Sequence, residues 1–271
     1  MLLKNSNMVS ELHQKRAISG RPDPNDLMQL KFGTSSLDLD ELCFTFISKT
    51  LRESYGYMES VKDWMSQDSN KNFFPTYTYP CIEYLNAIDW TDANVFEYGG
   101  GTSSLFWLNQ QANVYVVDHM KIWVDRIINW SEGKISVDYA SNIESYINAI
   151  YKYDFKFDVI IIDGGEGKGS RYDCVSPALE KINDGGIIIF DTSELHTNTK
   201  ELLDKEKNFI PVHFNGFQPR NVSTTTTSCY IHRNFNRPMK KLQPLGGTIN
   251  GGTSSVDKPR LDIQRNVRDV K

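Results

Sequence analysis

The spacing of apolar residues changes along this chain, and each regime predicts a different kind of element. Residues 1–36 are polar and broken by R-P-D-P-N-D, which predicts an arm with at most a short helix. From Ser36, apolar side chains at Leu39, Leu42, Cys43, Phe46, Ile47 and Leu51 recur at helical spacing, with acids in the first turn where the helix dipole favours them. A second helix over Tyr55 to Gln67 would carry Tyr57, Met58, Val61 and Trp64 as core side chains. The run F-F-P-T-Y-T-Y resists helix and is expected to cross the edge of a sheet; a helix then starts at Pro80, whose fixed φ suits a first turn.

Beyond it the pattern alternates. Short apolar strands begin at Val95, Val114 and Lys134, and amphipathic helices run from Lys121 to Trp130 and from Ile143 to Tyr151. F-D-V-I-I-I-D-G reads as a central strand covered on both faces, because it has no polar break. A helix over Tyr172 to Ile182, the strand D-G-G-I-I-I-F-D and a short helix over Asn198 to Lys205 continue the alternation. Two β-rich runs then meet at a turn around Gly216 to Asn221 with no room for a helix. Strand–helix alternation closed by a hairpin predicts an α/β fold with a mostly parallel sheet and an antiparallel end.

The chemistry concentrates between Asn94 and His119. Gly99, Gly100 and Gly101 directly follow the first strand, and three glycines let the backbone turn tightly and approach a ligand. Thr102 and Ser103 suit the start of a helix, and Asp118 ends the second strand at the edge where open α/β sheets bind ligands. A carboxylate there can accept both hydroxyls of a ribose. The dinucleotide pattern G-x-G-x-x-G fails, since position 104 is Ser, and Glu97 stands where it would repel a pyrophosphate.

E-x-G-x-G resembles the first motif of the class I S-adenosylmethionine (SAM) methyltransferases. With P-x-Y-x-Y-P-x-x-E-Y-L, D-V-I-I-I-D-G, D-G-G-I-I-I-F-D and F-N-G-F-Q-P…T-T-S, residues 73–233 look like one bacterial branch of that family. The resemblance implies a seven-stranded sheet with a C-terminal antiparallel hairpin. It also implies SAM as cofactor and methylation of a small-molecule acceptor at oxygen or nitrogen. By resemblance, Glu97 and the Gly99–Gly101 backbone hold the methionine end of SAM, and Asp118 takes the ribose with His119 beside it. Asp138 or Tyr139 meets the adenine, and Asp163 lies beside the sulfonium. A methyltransferase-fold protein that binds or assembles without catalysis is the alternative.

Asp163 and Asp191 end neighbouring strands and resemble the Mg²⁺-holding acids of catechol-type O-methyltransferases. Thr192 replaces the usual Asn, however, and a third ligand is not evident, so pairing with Arg171 or helix capping is preferred and no metal is assigned. Asp163 and His196 are the catalytic candidates; His119 and His213 are weaker bases. Tyr77, Tyr79, Lys168 and Arg171 are the candidate acceptor-site residues, with Phe73 to Tyr79 and the glycine-rich loop Gly164 to Arg171 as a roof.

Composition narrows the partners. With 39% hydrophobic and 24% charged residues the 271-residue chain is ordinary for a soluble protein, and a net charge of −4 argues against general nucleic-acid binding. Eight Lys/Arg against three Asp give residues 234–271 a net +5, leaving −9 for residues 1–233. Four scattered cysteines lack metal-ligand spacing, and no stretch has the length and apolarity of a signal peptide or membrane span, so a cytoplasmic protein with reduced thiols is expected. The expected organisation is an N-terminal arm and helical cap (1–72), a SAM-binding domain (73–233) and a basic, linker-like extension (234–271). Either extension is a candidate surface for homo-oligomer formation.

Overall fold

A computed structural model describes residues 39–165, 170–240 and 245. Helices α1 (Leu39–Glu53), α2 (Tyr57–Asp63) and α3 (Tyr79–Asn86) precede the sheet. Then come β1 (Asn94–Tyr98), α4 (Thr102–Asn109), β2 (Asn113–Asp118), α5 (Lys121–Trp130), β3 (Ser136–Tyr139), α6 (Ile143–Asn148) and β4 (Phe157–Ile162). The chain continues through α7 (Ser170–Asp173), α8 (Val175–Lys181), β5 (Ile182–Phe190), α9 (Thr197–Asp204), β6 (Phe209–Phe217) and β7 (Thr224–His232). The strands lie in the order β3-β2-β1-β4-β5-β7-β6. The first five are parallel, whereas β7 runs antiparallel to both β5 and β6. The expected seven-stranded, mostly parallel sheet with an antiparallel end is present.

Period-2 alternation explains why these strands read as continuous apolar runs. Val159 and Ile161 of β4 pack into one core with Ile187, Ile189, Trp90 and Trp107. Ile160 and Ile162 pack into the other with Tyr98, Tyr146, Ile188 and Val175. Both faces are covered, so no position on the strand favours a polar residue. On the first face α3 buries Cys81, Ile82 and Leu85. Cys81 and Cys229 bring their sulfurs to 3.6 Å there as buried free thiols, a pairing that their 148-residue separation conceals.

Local departures from the sequence expectations have identifiable causes. The second helix is only seven residues long and ends where Trp64 turns left-handed (φ 53°). Its buried side is taken by Ser60, with Tyr57 partly covered, so Met58 and Trp64 are exposed (44% and 69%) and do not join the core. The helix expected over Tyr172 to Ile182 breaks at Cys174, which places Pro177 in the first turn of α8, where its missing N–H costs nothing. The helix after β3 tightens into a 3₁₀ turn over Ala149–Lys152.

The first residues beyond β7 hold to the body of the molecule. Arg237 reaches Asp158 (3.2 Å) and lies over the Trp90 ring. Backbone bonds join Asp89 to Pro238 (2.9 Å) and Lys240 to Ala87 (2.7 Å). The remainder of the basic tail, save Leu245, and the amino-terminal arm lie outside the described residues. Among the described residues no helix is long and apolar enough to cross a membrane.

Candidate functional site

The three glycines after β1 do three different things. Gly99 has φ +88°, and a Cβ on it would fall 2.1 Å from the Gly164 Cα, so the loops leaving β1 and β4 touch. That contact is the sheet's switch point, where the order reverses and a crevice opens. Gly100 faces the other way: its Cβ would overlap Val116 and Ile127, so packing requires it. Gly101 faces open space, with no neighbour nearer than 4.0 Å. Its turn leaves the first amides of α4 uncapped by any Gly101 side chain.

A cavity of ≈ 180 Å³ opens over these glycines, walled on one side by Thr102, Ser103, Asp118 and Trp123 and on the other by Thr76, Asp163, Gly164 and Arg220. A larger hollow of ≈ 580 Å³ lies by Phe73, Phe106 and Asn109 but shares no lining residue with it. Both carry two acids, Asp68 and Glu83 in the larger and Asp118 and Asp163 in the smaller, and the glycine turn at the switch point makes the smaller one the candidate site.

Electrostatics distinguish it further. Glu97 is fully buried beneath the turn, and both its oxygens accept hydroxyl hydrogens, from Ser103 and Ser104. Burial still pushes its carboxyl up to about 8, against the two serines and with help from Asp163 and Asp118. Asp118 accepts the Met120 amide (2.6 Å) and is also raised by burial, which outweighs the amides around it and His119. Asp163 is raised by burial against the pull of Arg171, Arg220 and His196, and it pairs with Arg171 at 3.2 Å. Asp191 is buried and pushed up to about 7 by burial and by Asp163; its oxygens accept from Thr227 (2.6 Å) and Thr192 (3.0 Å). Two of these acids, Asp118 and Asp163, thus line the small cavity, with Glu97 buried beneath its glycine turn, and the lining, among the described residues, holds a single cation, Arg220.

Other sequence candidates fall outside the lining. Tyr77 and Tyr79, expected to touch cofactor or acceptor, are buried (0% and 3% exposed): Tyr79 packs on Tyr55 at 4.3 Å, and its hydroxyl has no hydrogen-bond partner among the described residues. The segment does cross the carboxyl edge, but Thr76 is the residue it presents. Asp138 pairs with Lys152 (2.6 Å), while Tyr139 is half exposed. His119 has a buried Nδ1 3.8 Å from Asp118 and its ring edge-on to Tyr146, and among the described residues neither that nitrogen nor the buried Tyr146 hydroxyl has a hydrogen-bond partner. A Gly164 Cβ would come 2.9 Å from that hydroxyl, so Tyr146 aims at the loop that lines the cavity. His196 rests on Phe190, its pKa lowered by burial and by Arg171. Arg171 donates to Asp163 and to the Asp191 carbonyl (2.7 Å), and Lys168 lies outside the described residues. His213 bonds Ser228 (2.8 Å) on the hairpin, away from the cavity lining.

Asp163 and Asp191 do lie together on one rim. Their oxygens are engaged by Arg171, Thr192 and Thr227, and among the described residues no group of three or more His, Cys, Asp or Glu is arranged to hold a metal.

Sequence reasoning missed Thr76, Trp123, Tyr146 and Arg220. Thr76 and Arg220 reach the site from segments whose local pattern reads as connection, and Trp123 belongs to a helix read only as amphipathic.

The sheet order and the switch-point cavity define the class I methyltransferase fold. No family profile matches the sequence, and no curated protein matches it. Similar solved structures include a candidate caffeoyl-CoA O-methyltransferase from Staphylococcus aureus, 14% identical, covering 70% of this chain and 99% of its own (TM-score 0.47). An rRNA methylase from Streptococcus thermophilus is 10% identical over 57% of this chain and 92% of its own (TM-score 0.42). A candidate methyltransferase from Streptococcus mutans in complex with SAH is 10% identical over 58% and 99% (TM-score 0.43).

Proposed function

We propose that this chain is a SAM-dependent methyltransferase acting on a small-molecule acceptor at oxygen or nitrogen. The observation that carries the reading is a glycine-lined switch-point cavity lined by Asp118 and Asp163, with Glu97 buried directly beneath its glycine turn. Carboxyls raised by burial are stabilised by a cation, and a pyrophosphate would meet the wrong charge. SAM brings a sulfonium and an ammonium to one end and a ribose diol to the other. Glu97 and Asp163 suit the first, and Asp118 suits the second. Ser104, where a dinucleotide fold has its third glycine, instead fastens Glu97.

Bound SAM supplies a methyl group already activated on sulfur, so this chain's residues need chiefly to align an acceptor and keep water out. Arg171 fixes Asp163 at the edge between cavity and loop. His196, kept neutral by burial and by Arg171, is suited to take a proton from a hydroxyl or ammonium acceptor.

Calorimetry with SAM, S-adenosylhomocysteine (SAH) and NAD tests the cofactor. Micromolar binding of SAM and SAH with no heat from NAD is expected, and NAD binding without SAM binding would overturn the reading. A screen with tritiated methyl donor then asks whether small molecules or RNA accept the label.

A further inference from the structure

Arg220 stands in the turn between β6 and β7, which reaches back over the carboxyl edge of the sheet to line the glycine cavity. Three features bear on its role. Its backbone is left-handed at φ +70°, as it is at six other non-glycine residues among those described, and of these seven Arg220 is the one whose side chain lines the cavity. Its guanidinium has no hydrogen bond or ion pair among the described residues, although burial lowers its pKa against the pull of Asp163. It is also braced from outside: it lies 5.8 Å from the Trp64 ring, and the neighbouring Asn221 carbonyl accepts from the Tyr57 hydroxyl (2.8 Å). Arg171, the other cation nearby, is engaged by Asp163 and the Asp191 carbonyl.

We propose that Arg220 is the receptor for the α-carboxylate at the amino-acid end of SAM. This rests on the reading of the cavity as a SAM site and extends it. Glu97 and Asp163 answer the positive charges of that end, and its one negative charge requires a cation. Arg220 is the single cationic side chain lining the cavity among the described residues, and it shares that lining with Thr76 and Asp163. A partly buried guanidinium without acceptors gains charge-assisted bonds on meeting a carboxylate, and its planar fork can grip both oxygens. Trp64 and Tyr57 then have a function that their exposure alone does not explain: they hold the turn, and hence the guanidinium, over the site.

Two probes separate the possibilities. SAH carries the amino-acid end, whereas 5′-methylthioadenosine has the same adenosine and a thioether but no carboxylate. Calorimetry on the full chain should show Arg220→Leu weakening SAH at least tenfold and leaving methylthioadenosine within twofold, with Arg220→Lys recovering part of the loss. Arg220→Gly keeps the left-handed backbone without strain, so it should fold as well as the parent and show the same selective loss. Unchanged SAH affinity in the Gly and Leu variants would overturn the proposal, leaving the guanidinium free for an acceptor. Equal weakening of both probes would overturn it too, since that marks a distorted turn. A parent protein that binds neither probe would instead sink the SAM reading itself.

Discussion

The two walls of the cavity are built differently. One comes from a single stretch: β1 supplies Glu97, the turn supplies Gly99 to Gly101, α4 supplies Ser103 and Ser104, and β2 ends in Asp118. The other is assembled from distant segments, Thr76 before α3, Asp163 and Gly164 after β4, and Arg220 in the hairpin turn, with Arg171 behind them. The contiguous wall rests on a fully buried Glu97; the composite wall sets Asp163 beside Arg171 and carries Arg220 at φ +70°. A wall made from one stretch keeps its geometry through local hydrogen bonds. A composite wall depends on packing between elements, so its geometry is set by the fold rather than by one local turn.

The walls meet at Gly99 and Gly164, and the largest effect is expected there. Gly99→Ala places a methyl 2.1 Å from backbone, at φ +88°, where neither atom is a flexible side chain end. A loss of more than about 3 kcal/mol is expected from overpacking and left-handed strain together. Gly101→Ala, which faces open space, should fold normally. Urea unfolding of both variants checks the contrast; equal stabilities would mean the two walls do not press on each other at Gly99.

Glu97 sharpens the comparison through pH. Its carboxyl titrates near 4.5 when unfolded and is pushed up to about 8 in the folded chain. The folded state therefore holds the proton more tightly, and this stabilising contribution is complete below pH 4.5 and lost as pH rises through 8. Glu97→Gln, an uncharged isostere, should remove that slope, which is on the order of a few kcal/mol across the window. A cationic ligand favours the charged carboxylate, so SAM binding to the parent near neutral pH should release protons. Calorimetry in buffers of different ionisation heat reads this release. Identical proton release by the Gln variant would place the coupling elsewhere.

Asp118→Ala should cost SAM and SAH about 1.5–3 kcal/mol, the scale of hydrogen bonds to a charged group, with little loss of fold. Adenosine should weaken by a similar factor, because the ribose is the shared part. Unchanged affinity in a folded variant would mean the ribose is held by another group.

The difference between the walls also explains what was legible beforehand. The strand–helix alternation and closing hairpin could be read because β4 and β5 are apolar on both faces and the helices amphipathic. Glu97, the glycines and Asp118 could be placed together at one sheet edge because they lie in one short stretch. Tyr77 and Tyr79 could not be placed: an aromatic in a loop looks the same whether it faces a ligand or, as Tyr79 does, stacks on Tyr55 under a helical cap. Arg220 was hidden because Q-P-R-N-V-S reads as a hairpin turn, and only the fold brings it beside Asp163. Cys81 and Cys229 illustrate the same limit inside the core.

The smallest effect on cofactor binding is expected from the Arg171 side of the composite wall. Arg171 spends its guanidinium on Asp163 and on the Asp191 carbonyl, so it holds the rim in place and has little left for SAM. Replacing Lys168 and Arg171 together by Ala should change SAH affinity by only about threefold, well under 1 kcal/mol. Asp163 would lose its ion-pair partner, and its carboxyl, already raised by burial, would rise further. The rim would then be held less firmly. Turnover on a confirmed acceptor should therefore fall or its KM rise. A double variant that keeps full kcat/KM would show that this edge only closes the fold, and would confine acceptor recognition to other segments, such as the one around Thr76.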